Sequence, residues 1–334
     1  SRHSRRGIMS FERDITDFLH AKISAWLLWV AAAAAATAAW SAGMTPPPEA
    51  NAGFGLPPVS AWAGHSVVSL ALSLAGILCA GLLAITITRI FNLLRTLTAL
   101  AGGMFFAMQA AYPQGMTAFN GGTLAVLLVP LTVFVLFTAF SNPGRTRRIF
   151  LIFFLLTLGG LTQAGFLLFI PVFAIGCLQM RIFNLRTFTA GLLGIITPPW
   201  ILIGFGIIDP WQITLPRPVM LWNIVAPGAL VQIIATTAVT IITGAVFIAM
   251  NLLKILSYNS RVRAFNGFLT TAWIFSAVFT VIDFNDFYFF LPLLNMLTAY
   301  QVAHFFTYRR SRRSYMAIMF IMALYAGLCI WSFI

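Results

Sequence analysis

Residues 149–180 read Ile149-Phe-Leu-Ile-Phe-Phe-Leu-Leu-Thr-Leu-Gly-Gly-Leu-Thr-Gln-Ala-Gly-Phe-Leu-Leu-Phe-Ile-Pro-Val-Phe-Ala-Ile-Gly-Cys-Leu-Gln-Met180, with Arg145, Arg147 and Arg148 before them and Arg181 and Arg186 after. Taken as one helix, these 32 residues would run about 48 Å, well beyond the ~30 Å of a bilayer's hydrocarbon core. Taken as a hairpin, they form a first limb 149–162, a tip over Gly160–Gly165 and a return limb 165–180 carrying Pro171. The two readings place every later connection on opposite sides of a membrane, so charge decides between them. With a hairpin, 19 of the 20 Lys and Arg residues share one compartment; with a single crossing the split falls to 11 against 9. Basic residues in short loops are held on the cytoplasmic side, and the hairpin is the reading that respects this. Its first limb, about 21 Å long, is too short to cross comfortably, so the tip is expected within the membrane, where irregular backbone survives only if buried in protein or facing a wet cavity.

Working outward, apolar runs recur at 23–43, 65–88, 97–113, 121–140, 187–207, 223–250, 264–282, 287–306 and 314–333. With the two limbs they predict an all-α, polytopic transmembrane helix bundle of about 10–11 spans, with a cytoplasmic N-terminus, forming a single membrane domain over 1–334. Composition agrees. Of 334 residues, 60% are hydrophobic and only 8% charged, against roughly a quarter charged in soluble domains. Too little polar material remains to cover a soluble fold. The net charge of +13 does not indicate nucleic acid, because the basic residues lie in small groups between apolar runs rather than on one polar patch. The first apolar run follows a charged segment and is long enough to be retained as a span, and Met9 offers an alternative start.

Two segments depart from the spans. In 8–22, Ile8, Phe11, Ile15, Phe18 and Leu19 recur at helical spacing with Glu12, Arg13, Asp14, Asp17 and His20 between them, the pattern of an amphipathic helix lying on the cytoplasmic interface. The longest connection on the outer side, 44–64, carries Pro46-Pro47-Pro48, Pro57-Pro58 and the interfacial aromatics Phe54 and Trp62.

Carboxylates are scarce. Glu12, Asp14 and Asp17 belong to the surface helix, whereas Glu49, Asp209, Asp283 and Asp286 fall at the outer side. Asp283-Phe-Asn-Asp286 joins two spans in a tight turn; Asp and Asn favour turns and cap helix starts, or the pair acts as a base or oxygen ligand at a cavity mouth. Glu49 and this pair are the candidate catalytic residues. Asp209 and Arg217 flank the only outer connection with a positive charge; they form a local ion pair, or Arg217 clamps a phosphate. Thr162 and Gln163 at the hairpin tip would line a polar path through the membrane. His3, His20, His65 and His304 show no metal-ligand spacing, and Cys79, Cys177 and Cys329 lie apart in apolar runs, so no metal, cofactor or disulfide framework is expected. Gly102-Gly103, Gly121-Gly122, Gly191 and Gly194 are sites for close helix packing, and Pro198-Pro199 should break or kink the span 187–207.

The stretch 181–200, with Phe183, Arg186, Leu192, Gly194 and Pro199-Trp200, resembles a segment of a family of bacterial polytopic inner-membrane proteins with no assigned activity. The resemblance extends over 145–202 and implies a multi-pass inner-membrane protein of the cell envelope. A looser one, to membrane glycosyltransferases that use polyprenyl-linked sugars, rests on the many spans, the short hairpin and Glu49 in the first outer loop; it implies an acidic residue acting at the outer face. The leading expectation is a non-catalytic subunit or scaffold in envelope biogenesis. The alternatives are a glycosyltransferase-like enzyme acting on a lipid-linked sugar, and a transporter or flippase. The partners expected are the lipid bilayer, other membrane subunits or a lipid-linked envelope substrate.

Overall fold

The computed structural model describes residues 22–47, 49, 53–64, 66–94, 98–213, 220–253, 258–308 and 312–334. Among these are eleven α-helices and no strand: α1 Lys22–Ser41, α2 Val67–Ile90, α3 Thr98–Ala110, α4 Gly121–Thr138, α5 Thr146–Thr162, α6 Phe169–Gln179, α7 Leu185–Gly204, α8 Pro227–Leu252, α9 Ser260–Ile282, α10 Phe287–Tyr308 and α11 Arg312–Trp331. Eight of them, all but α3, α5 and α6, are long and apolar enough to cross a bilayer. The protein is a multi-pass membrane helix bundle. The amphipathic helix expected over 8–22 falls outside the described residues apart from Lys22, the first residue of α1.

Helix starts follow local chemistry. Ser66, Asn120, Asn184 and Asn259 each accept a hydrogen bond from the backbone N–H three residues on, satisfying a donor that a helix start leaves open. At α7 Thr187 returns the bond to the Asn184 N–H, completing a capping box. Pro227 opens α8, where its missing N–H costs nothing.

The 149–180 stretch is a hairpin. Limbs α5 and α6 are joined by a 3-10 turn over Ala164–Leu168, and the Ser141 N–H before α5 donates to the Met180 carbonyl after α6 at 3.0 Å. Both limbs therefore begin and end at one end of the bundle. That end also gathers Phe91, Phe134, Phe137 and Phe265, with Phe137 and Phe265 stacked at 4.3 Å and the Arg261 guanidinium over the Phe265 ring. It carries the arginine-rich connections and is called the basic end below. The tip is buried in protein: Gln163 is fully enclosed, the ring of Phe289 lies over Gly165 and that of Phe166 over Gly159. No wet cavity is needed to account for its backbone.

Of the break or kink expected at Pro198-Pro199, the break does not occur: α7 is helical from Leu185 to Gly204 with both prolines inside. Proline's fixed φ is itself helical, so the loss is confined to two N–H donors and local crowding. The helix is held upstream where Gly191 and Gly194 lie against Phe150 and Phe153 of α5, with a β-carbon on Gly194 meeting the Phe150 carbonyl oxygen at 2.5 Å. At the centre of the bundle is α10, the most deeply buried span, packed on α3, α4, α8 and α9, whereas α1, α7 and α11 are peripheral.

Candidate functional site

At the end opposite the basic one, the described residues of the connections 44–64, 111–123, 161–168, 208–224 and 283–287 meet. The loop that carries Glu49 and Gly53 docks by main chain onto the hairpin tip: Gly53 N–H donates to Thr162 O at 2.9 Å and Leu56 N–H to Leu161 O at 3.2 Å. These carbonyls belong to the last turn of α5, which has no helical partner for them. Gly53 is required because its Cα lies against the tip backbone; an added β-carbon would sit 2.1 Å from the Leu161 oxygen.

This docking brings Glu49 to the start of α4. Its Oε1 accepts from Gly121 N–H at 2.6 Å, and its Oε2 accepts from Ser60 N–H at 3.2 Å and from the Ser60 hydroxyl at 2.9 Å. A carboxylate there is favoured by the partial positive charge of a helix N-terminus. Burial pushes the Glu49 carboxyl above its usual range, and the hydrogen bonds from Gly121 and Ser60 oppose that rise.

On the other side of Gly121 lies the Gln163 side chain, whose Cδ would be 2.9 Å from a β-carbon on that glycine. The Gln163 Nε2 faces both oxygens of Asp286 at 3.5 Å, at the outer limit for a hydrogen bond. Asp286 is fully buried at the start of α10, and the Gln163 Oε1 is buried with no hydrogen-bond partner. Glu49, Gln163 and Asp286, far apart in the chain, thus form one line from the loop through the tip to the central helix. Next to it, Gly122 lets α4 close on α10, with a β-carbon 2.2 Å from the Tyr288 carbonyl oxygen.

The other sequence candidates go elsewhere. Asp209 is exposed and its Oδ1 accepts from Trp211 N–H at 3.0 Å, closing a local turn. Asp283 ends α9, and its carbonyl accepts from Asp286 N–H at 3.0 Å. The Thr162 hydroxyl turns back to the Gly159 carbonyl at 2.7 Å, so Thr162 meets the loop only through its main chain. Arg217 lies outside the described residues. Among the described residues no group of three or more His, Cys, Asp or Glu side chains is placed to hold a metal ion.

Sequence reasoning missed two sets of residues. Asn285 Oδ1 accepts from Leu221 N–H at 3.1 Å, tying the 208–224 connection to the tight turn; its place between two candidate carboxylates was the available signal. The second set is a ladder of polar side chains on α10. Asn295 donates to Gln109 Oε1 at 2.6 Å and accepts from Thr240 at 3.2 Å, and Thr240 meets the Tyr325 hydroxyl at 2.9 Å. Thr298 accepts from Trp273 Nε1 at 2.8 Å, Gln301 accepts from Asn251 at 3.0 Å, and His304 meets Asn266 at 3.1 Å. Asn295, Thr298, Gln301 and His304 recur every three residues and so wind around α10, with Asn295 and His304 on opposite sides, a pattern readable once the helix is known to be enclosed on all sides. These contacts join α10 to α3, α8 and α9, and α8 to α11, by side-chain hydrogen bonds, the glue available where lipid supplies no hydrophobic drive.

No family model, curated protein or solved structure matches this chain.

Proposed function

We propose that the chain is a non-catalytic integral inner-membrane protein, a subunit or scaffold in cell-envelope biogenesis. The observation that carries this is the engagement of its outer carboxylates. Both oxygens of Glu49 are occupied by three donors from the protein, and Asp286 is enclosed at the foot of α10. Their work is to lock the outer loop, the hairpin tip and two helix starts into one rigid end. The ladder of paired polar groups along α10 is likewise a fastening between helices. A transporter would need an open polar route at Gln163, and that residue is enclosed.

A second reading is favoured by one observation: the convergence of Glu49, Gln163 and Asp286, with the Glu49 carboxyl raised toward the range useful for a general base. It makes the protein an enzyme acting at the outer face on a lipid-linked sugar. Rescue of a strain lacking the native copy, grown under envelope stress, separates the two. In the subunit reading Glu49→Gln rescues as wild type does, because the amide oxygen still accepts from Gly121, whereas Gly53→Ala fails with lowered protein level. Failure of Glu49→Gln at wild-type protein level and thermal midpoint would replace the first reading with the second.

A further inference from the structure

The helix α3 is only 13 residues long, about 20 Å, and it lies beneath α1 and α2, which both pack on it but barely touch each other. Close approaches sink it there. A β-carbon on Gly81 of α2 would be 2.2 Å from the Phe106 ring, one on Gly102 would be 2.6 Å from Ile85, and one on Gly103 would be 3.1 Å from Leu28 of α1. The result is a groove of about 430 Å³ with α3 as its floor and α1 and α2 as its walls.

The wall from α2 is one helical face: Leu78, Leu82, Ile85, Arg89. From Leu78 to Arg89 the groove runs about 16 Å, half of the ~30 Å hydrocarbon core and so the depth of one leaflet. Among the described residues its lining is apolar along this length except for Thr86, and it carries a single charge, Arg89, at the basic end of the bundle. Arg89 is exposed, and among the described residues its guanidinium has no hydrogen bond or ion pair. Trp26 of α1 also lines the groove, a residue suited to headgroup level.

We propose that this groove holds one acyl chain of an anionic phospholipid from the leaflet at the basic end, with the lipid phosphate on Arg89. The length matches a single leaflet, the lining matches a hydrocarbon chain, and the unpaired guanidinium supplies the complement to a phosphate. The inference stands apart from the subunit and enzyme readings, since it uses neither Glu49 nor Asp286.

The test is native mass spectrometry of the full chain in detergent, titrated with phosphatidylglycerol or phosphatidylcholine of the same acyl composition. Wild type should retain one phosphatidylglycerol through detergent exchange, in preference to phosphatidylcholine. Arg89→Gln should weaken that preference about fivefold, the effect of one basic residue at a charged membrane surface. Arg89→Lys should keep most of it, and Leu82→Trp, which fills the groove from an exposed position, should abolish retention. Arg147→Gln removes an exposed arginine outside the groove and should leave the preference unchanged. Equal retention of both lipids, equal losses in Arg89→Gln and Arg147→Gln, or retention by Leu82→Trp would mean annular lipid only and overturn the proposal.

Discussion

Gly53→Ala tests the lock at the acid-bearing end most directly. Where a glycine's φ suits alanine and space is open, the exchange stabilises by about 0.4–1 kcal/mol through the unfolded chain. At Gly53 the new methyl would lie 2.1 Å from the Leu161 carbonyl oxygen and 2.4 Å from the Thr162 carbonyl carbon. Both belong to backbone at the end of α5, which cannot rotate away as a side chain can. The loop must lift, and the bonds Gly53 N–H to Thr162 O and Leu56 N–H to Leu161 O go with it. Each leaves a carbonyl of a buried residue unsatisfied at about 1–3 kcal/mol, so after the entropic gain a net loss of about 2–5 kcal/mol is expected. Hydrogen exchange in detergent reads this as local opening: the Leu56 amide should lose between about thirtyfold and a few thousandfold of its protection. Gly267→Ala is the control, because nothing lies within 4 Å of its β-carbon position inside α9; it should hold or raise the thermal midpoint. Unchanged Leu56 exchange in Gly53→Ala, or a raised midpoint, would refute the docking geometry.

Docking of the loop that carries Glu49 should also depend on pH. Since the folded Glu49 value is raised, its contribution is fully present below the ordinary glutamate range and fades as pH rises through the folded value. Trp62, whose ring lies 6.3 Å from Phe119, should report tighter docking at acid pH, and Glu49→Gln should flatten that profile; the opposite slope would contradict it. In the interior, Asn295→Leu leaves the Gln109 Oε1 unsatisfied, while Thr240 keeps Tyr325, and should lower stability by about 1–3 kcal/mol. A cycle with Gln109→Leu should return a coupling of about 0.6–1.7 kcal/mol, the range for hydrogen bonds between membrane helices, and strict additivity would show that the pair does not interact. In a cysteine-free background, Asp209→Cys should react with an impermeant maleimide from outside and Arg147→Cys only after permeabilisation. Labelling of both from one side would overturn the assignment of the two ends.

Charge and apolar length determined much of this protein before any coordinate was known. Lys and Arg are costly to carry across a membrane, so their placement between apolar runs was enough to read 149–180 as a hairpin, and the Ser141–Met180 bond bears it out. Each of the eleven apolar runs coincides with a helix, because in lipid a chain has few other ways to satisfy its backbone. The glycines at 102–103, 121–122, 191 and 194 also pack as their spacing suggests. Only the tertiary structure decided which polar residues meet. Glu49, Gln163 and Asp286 stand on three separate segments with no shared periodicity, and they converge because Gly53 and Gly121 allow backbone and side chain to approach within contact distance. Likewise α7 keeps its helix through Pro198-Pro199 while lying against α5, a contact between segments that proline's local rule does not contain.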